Sequence, residues 1–295
     1  MSTVAEGERR VGVATHPHHV ALTHYTRRAL LYLVMIAGAL VLLFPLYWLI
    51  STSLKPTDEI NVFPPIWVPS RLVWQNYVNL FQTVPFWTYL ENSLFVTLTS
   101  VVGTVFSSAL VGFSFARLRF PGRNLLFIVA LSTTMIPGFV TLIPQFVMFK
   151  SFGWLDSFAP LIVPQLFANP AYLFLMRQFF LTLPVDMEEA AKIDGCSYFR
   201  IFWNIALPLV KPALIAIAAF TFLYNWNDFL GPLIYLQSPD HFTLQLGLAQ
   251  LQSQYQTHTE LIMAGSTLSV LPCIVLFFIC QRWFIQGVVI TGVKG

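Results

Sequence analysis

Charge in this sequence gathers in one place. Between Pro184 and Pro208, bounded by long apolar runs, stand Asp186, Glu188, Glu189, Lys192, Asp194 and Arg200. A segment so charged cannot lie in hydrocarbon and must sit in water. A second set of polar side chains stands where apolar ones dominate: Asn225, Asn227 and Asp228 interrupt one greasy stretch, and Gln165 and Asn169 interrupt another. An acidic group at membrane depth costs about 2.5 to 3.5 kcal/mol on insertion scales, so Asp228 should face a cavity, a partner or an adjoining helix. Two roles stay open for it: contact with a solute, or bracing of a helix break at Gly231 and Pro232. Asn225 and Asn227 share that ambiguity.

The commoner catalytic patterns are missing. No Gly-x-x-x-x-Gly-Lys-Ser/Thr loop occurs, so the chain has no evident means of holding ATP by that route. His-Glu-x-x-His and Gly-x-Ser-x-Gly are missing too, which removes the usual routes to a membrane hydrolase. His16, His18, His19 and His24 cluster near the N-terminus without a folded frame, so a solvated tail is expected there rather than a metal site. Cys196, Cys273 and Cys280 lack the paired spacing of a disulfide framework or a zinc site. A net charge of +3 without a concentrated basic face gives no reason to expect nucleic acid.

The elements that must position these residues follow from composition. Hydrophobic residues make up 56% of the 295 and charged ones 10%, with a mean hydropathy of +0.69. Such a chain belongs in a bilayer, where a helix of about 20 apolar residues spans roughly 30 Å. Six windows qualify: about 29–54, 92–115, 124–149, 158–176, 212–236 and 260–284. The third and fourth carry Pro137, Pro144, Pro160, Pro164 and Pro170, each of which removes a backbone hydrogen bond and kinks its helix. Kinks beside polar side chains point to spans lining a watery path. Between the first two windows, Trp67, Trp74, Tyr77 and Trp87 predict a segment lying at the headgroup level, open to an external partner. Within the charged stretch, Pro184 suits a first helical turn, the acidic residues suit its positive end, and Gly195 suits the position just past its end. A second helix is expected from Ser197, interrupted by Pro208 and Pro212.

Lys and Arg set the orientation. With the N-terminus inside, the tails and even-numbered loops hold Arg9, Arg10, Arg27, Arg28, Arg117, Arg119, Arg123, Arg177, Lys192, Arg200, Lys211, Arg282 and Lys294. The other side holds only Lys55, Arg71 and Lys150. Both termini and the charged loop are therefore expected in the cytoplasm. The domain plan is a tail over 1–24, a six-span domain over 25–285 with a loop at about 184–208, and a tail over 286–295.

Spacing within the charged loop carries a resemblance. Glu189-Ala190-Ala191, three residues, Gly195, nine residues, then Ile205-Ala206-Leu207-Pro208 resembles the EAA loop of the membrane subunits of bacterial ABC importers. Trp226-Asn227-Asp228-Phe229 and the ending Gly292-Val293-Lys294-Gly295 resemble the branch that imports carbohydrates, of maltose and glycerol-phosphate type. The match runs in register from about Leu30 to the end. It implies an all-α, type I ABC importer-like permease of a bacterial or archaeal inner membrane, with no catalytic residue of its own. Partners implied are a second related permease subunit, two copies of an ATPase that bring ATP and Mg, and an extracytoplasmic solute-binding protein. By the same resemblance, Glu189, Ala190, Ala191, Asp194 and Gly195 form the helix and turn that dock on the ATPase, and residues 292–295 touch it as well. Asn225, Asn227, Asp228, Gln165 and Asn169 are candidates for the solute pathway. A stand-alone ion-coupled transporter, with Asp228 as ion site, is the competing reading. It leaves the charged loop without a purpose.

Overall fold

The structure is a computed structural model that describes the backbone of residues 17–254 and 258–292 and the side chains of 25–254 and 258–283. The chain divides into two compact units, residues 1–50 and 51–295. Residues 17–50 of helix α1 (Pro17–Ser53) make up the described part of the first, so helix begins earlier than the polar tail suggested. Among the described residues there is no strand.

The second unit is organised around α3 (Phe86–Arg117), which starts six residues before the expected window. Before it, α2 (Gln75–Thr83) buries Asn76 and Leu80, and Asn76 donates to the Ser53 and Lys55 carbonyls at 2.9 Å each. Trp67, Trp74 and Trp87 stay exposed, as a headgroup segment requires.

The third window is broken rather than kinked. Helices α4 (Arg123–Ser132) and α5 (Gly138–Ser151) meet at 98° around Pro137, with one 3-10 turn between them. The fourth runs from Ala159 to Leu181 as α6 (Ala159–Ile162), a 3-10 turn and α7 (Pro170–Leu181). Next come α8 (Val185–Ile193) and α9 (Tyr198–Ile201), then a π turn over Phe202–Ala206 and α10 (Leu207–Leu209). Pro208 lacks the N–H that would continue the ladder there.

The fifth window is broken, close to the helix break that is one of the two readings for Asp228. Helix α11 (Lys211–Trp226) stops at Asn227, and α12 (Leu230–Tyr235) starts afresh, so the break precedes Pro232 instead of falling on it. Helices α13 (Leu244–Gln254) and α14 (Thr259–Gly292) complete the chain. Helix α14 continues past the expected end near Phe284, into the stretch read as a tail. Among the described residues four helices are long and apolar enough to cross a membrane, or up to six if each bent pair is one span.

Apolar side chains gain nothing by leaving lipid for a helix interface, so contacts here rest on close approach. Helix α3 supplies it with Gly103 and Gly112: a Cβ on Gly112 would lie 2.6 Å from the Met176 Cβ of α7. Along α3, Ser93, Thr97, Ser100, Thr104 and Ser108 are buried. Thr104 donates to the Gln165 carbonyl at 2.9 Å, and the Ser93 hydroxyl accepts the Leu244 N–H at 2.7 Å. The hydroxyls of Thr97, Ser100 and Ser108 are buried without a hydrogen-bond partner among the described residues. One core gathers Phe113, Phe180, Ile201, Phe202 and Ile217, with Ala191 of α8 in it. A second joins Leu80, Tyr89, Trp226, Leu244 and Leu261. There the Trp226 Nε1 donates to the Ser269 carbonyl at 2.9 Å, tying α11 to α14.

Candidate functional site

Helix α8 is defined at both ends by its own sequence. Pro184, at φ −59° and ψ 134°, stands just before it, one residue ahead of the first-turn position expected of it. Asp186 and Glu188 occupy the first turn and Lys192 the last, matching the helix dipole. Gly195 adopts φ +78°, the left-handed conformation that glycine enters without strain. Its N–H bonds the Lys192 carbonyl at 3.0 Å and that of Cys196 bonds Ala191 at 2.9 Å, a complete Schellman stop. Ser197 then caps α9 by accepting the Arg200 N–H at 3.3 Å.

Packing splits α8 into two faces. Glu188 and Ala191, three apart and so on one side, are buried. Glu189, Ala190, Lys192, Ile193, Asp194 and Gly195 are exposed, with Ile193 at 86%. Sequence reasoning grouped Ala191 with the docking residues, but Ala191 faces the bundle. It also missed Glu188 and Arg117. Arg117, the last residue of α3, places its Nε 2.8 Å from the Glu188 Oε1, and both side chains are nearly buried. The same guanidinium donates to the carbonyls of Phe180 at 2.5 Å and Leu183 at 2.6 Å, just ahead of α8. One fork thus joins the end of α3, the end of α7 and the start of α8. The Glu188 to Ala191 spacing could have signalled an inward face, whereas nothing local pairs Arg117 with Glu188.

The second candidate region is a cavity of about 450 Å³. It brings together Gln165, Asn225 and Asp228 of the sequence candidates and adds Thr141, Gln145 and Tyr224, which sequence reasoning missed. The break at Asn227 lets chain separated by dozens of residues converge here, because α11 ends and α12 begins at its wall. Asp228 Oδ1 accepts the Gly231 N–H at 3.2 Å, so the carboxyl braces the restart of the helix while lining the cavity. Asn227 and Asn169 do not belong to this lining. Asn227 turns its amide back onto the Leu223 carbonyl at 2.8 Å, and Asn169 caps α7 by accepting the Ala171 N–H at 2.9 Å. Of the C-terminal candidates, Gly292 ends α14, and Val293, Lys294 and Gly295 lie outside the described residues. The histidine-rich start lies outside the described side chains.

The loop after α12 is tied down by Asp156, itself at φ +59°. Its carboxylate accepts the N–H groups of Gln237 at 2.9 Å and Ser238 at 2.8 Å, the Ser238 hydroxyl, and a contact from His241 Nδ1 at 3.2 Å. The Ser238 hydroxyl foremost, with these N–H donors, holds the Asp156 carboxyl well below the usual carboxylate range. A depressed folded value stabilises the fold above the unfolded value of about 3.9 and ceases to do so as pH falls. Asp156→Asn is therefore expected to lower the thermal midpoint at pH 7, with the gap to wild type narrowing steadily below about pH 4. A gap that stays constant down to pH 3 would remove Asp156 as the anchor.

Broken apolar helices around a polar cavity, with a hydrophilic helix hung from the bundle, are the build of a multi-span membrane transport component. Residues 108–290 match the model of the "Binding-protein-dependent transport system inner membrane component", and the chain belongs to that family. It is 37% identical over 260 residues to the arabinooligosaccharides transport system permease protein AraQ of Halalkalibacterium halodurans, covering 87% of this chain and 93% of that one. To the sn-glycerol-3-phosphate transport system permease protein UgpE of Yersinia enterocolitica it is 34% identical, with 88% and 94% covered. In fold it is similar to a chain in the crystal structure of a bacterial ABC transporter involved in the import of the acidic polysaccharide alginate, with a TM-score of 0.77, 22% identity and coverage of 89% and 98%. A second alginate transporter structure, in complex with an alginate pentasaccharide-bound periplasmic protein, matches with a TM-score of 0.62 at 14% identity, over 88% of this chain and 95% of that one. The chain is thus a multi-pass inner-membrane transport subunit.

Proposed function

We propose that this subunit forms half of a carbohydrate pathway, paired with a second related permease, and that α8 is the lever through which a separate ATPase drives it. ATP and Mg act on that ATPase, in two copies, and an extracytoplasmic binding protein delivers the solute. The observation that carries this reading is the division of α8: an exposed outer face with Glu189, Ala190, Ile193, Asp194 and the Gly195 turn, and an inner face locked to α3 by Arg117. A helix that merely filled the bundle would have no use for the outer face. Relatives whose names include arabinooligosaccharide and glycerol-phosphate permeases support a sugar or polyol as cargo. The count of Lys and Arg supports placing α8 and both termini in the cytoplasm.

In this mechanism closure of the ATPase dimer moves α8, and the lock passes the displacement into α3 and α7. Transport then follows from switching a bundle between two arrangements with different contacts. The ion-coupled alternative gives α8 no work, and it has no support from a family of binding-protein-dependent systems. Glu189→Lys should reverse the charge of the outer face without touching the core. In vesicles holding the complete complex, solute uptake is expected to fall at least tenfold while the subunit still inserts. Wild-type uptake by that variant would count against α8 as the lever.

A further inference from the structure

The cavity that receives Asp228 also has a charge, and charge selects solutes. Resting on the reading that the chain carries a carbohydrate, we propose that this cavity admits neutral, hydroxyl-rich sugars and turns away anionic ones, with Asp228 as the residue that sets the preference.

Its polar lining consists of Thr141, Gln145, Gln165, Tyr224, Asn225 and Asp228. Amides and hydroxyls both donate and accept hydrogen bonds, which suits sugar hydroxyls, themselves donors and acceptors at once. Aromatic side chains complete the wall: the exposed Phe139 supplies apolar surface for one side of a pyranose or furanose ring, while Phe149 and Tyr235 line the same space from buried positions. The volume of about 450 Å³ falls within the range of about 300 to 1,000 Å³ usual for ligand pockets.

Asp228 is the one acidic residue of the lining, and among the described residues no Lys, Arg or His joins it there. Recognition of a phosphate or a uronate would call for a guanidinium or ammonium group. The opposing contribution is the start of α5, where Gly138 and Phe139 line the cavity, but a helix terminus carries only about half a positive charge against the full charge of a carboxylate. Gly231 gives the carboxyl its place: a Cβ there would meet Asp228 Oδ2 at 2.5 Å and the Leu161 side chain at 3.0 Å. With Oδ1 taking the Gly231 N–H, the carboxyl is held at the cavity wall by backbone. A like charge brought within several ångströms of it is disfavoured by about tenfold or more.

The test uses the purified permease and ATPase complex without its binding protein, so that the membrane pathway alone filters the solute and the variants isolate this chain's share. Binding of a neutral arabinose trisaccharide and of a galacturonic acid trisaccharide is compared by saturation-transfer difference NMR. The wild-type complex is expected to favour the neutral sugar by about tenfold. Asp228→Asn, which keeps a good helix-capping side chain, should erase most of that preference, and Gln165→Lys, which brings a cation to the same wall, should invert it. Equal binding of both sugars by wild type, or an unchanged ratio in both variants, would overturn the inference. So would the absence of any sugar binding from a complex that still imports sugar with its binding protein. Failure of the complete complex to import any sugar would instead sink the carbohydrate reading beneath it.

Discussion

Arg117→Ala is expected to cost about 3 to 5 kcal/mol at the junction of α3, α7 and α8. The substitution leaves Glu188 buried without its cation and strips the Phe180 and Leu183 carbonyls of their donor. Arg117→Lys should rescue little, because an ammonium's three donors radiate from one atom and cannot reach acceptors spread along the Nε and Nη2 edge of a planar guanidinium. The paired change Arg117→Leu with Glu188→Leu should recover the part owed to the unpaired carboxylate, since a buried ion pair exchanged for apolar bulk is often neutral, and leave the part owed to the two carbonyls. Thermal midpoints of the purified complex, read beside solute-stimulated ATPase activity, decide the matter. A midpoint for Arg117→Ala equal to wild type would show that the guanidinium fastens nothing.

Gly195→Pro has the second large expected effect, on coupling rather than on insertion. Proline fixes φ near −65°, whereas this position sits at +78°, and it removes the N–H that bonds the Lys192 carbonyl. The turn leaving α8 must then rearrange, which shifts the exposed Asp194 and the cap of α9 at Ser197 together. Uptake by reconstituted complexes is expected to fall at least 100-fold, with ATP hydrolysis persisting unlinked to transport. Gly195→Ala provides the graded control, because left-handed backbone costs an L-residue about 1 to 2 kcal/mol and removes no donor. Equal, wild-type-like uptake by both variants would take the Gly195 turn out of the mechanism.

Local chemistry explains which parts of this molecule were legible in its sequence. The ends of α8 could be read because a glycine stop and an acidic first turn are decided within a few residues. The spans could be read because composition alone commits them to lipid. What escaped required a partner far along the chain. Arg117 meets Glu188 only once α3 lies beside α7, an approach that depends on Gly112. Ala191 lies within the recognisable spacing of the loop and still points inward, because its place on the helix puts it on the Glu188 side. The polar candidates divided for the same reason. Asn169 and Asn227 satisfy neighbouring backbone, a competition that amide side chains at helix ends often settle locally. Gln165, Asn225 and Asp228 converge because the fifth window breaks after Trp226, where the ring and missing N–H of Pro232 disfavour helix over the preceding turn and Asp228 accepts the freed Gly231 N–H.

Helix α3 also governs how easily neighbours travel along it. Along its middle, from Thr97 to Thr104, its contact side is lined with hydroxyl side chains and Gly103, with bulky Tyr89 and Phe113 interlocking nearer its ends, so an axial slip meets low corrugation only in that middle stretch. The hydroxyls of Thr97, Ser100 and Ser108 are spare donors that can take up fresh acceptors after such a slip. A rail built this way lets the bundle change state with little friction at its centre, and leaves stiffness where the Arg117 fork supplies it.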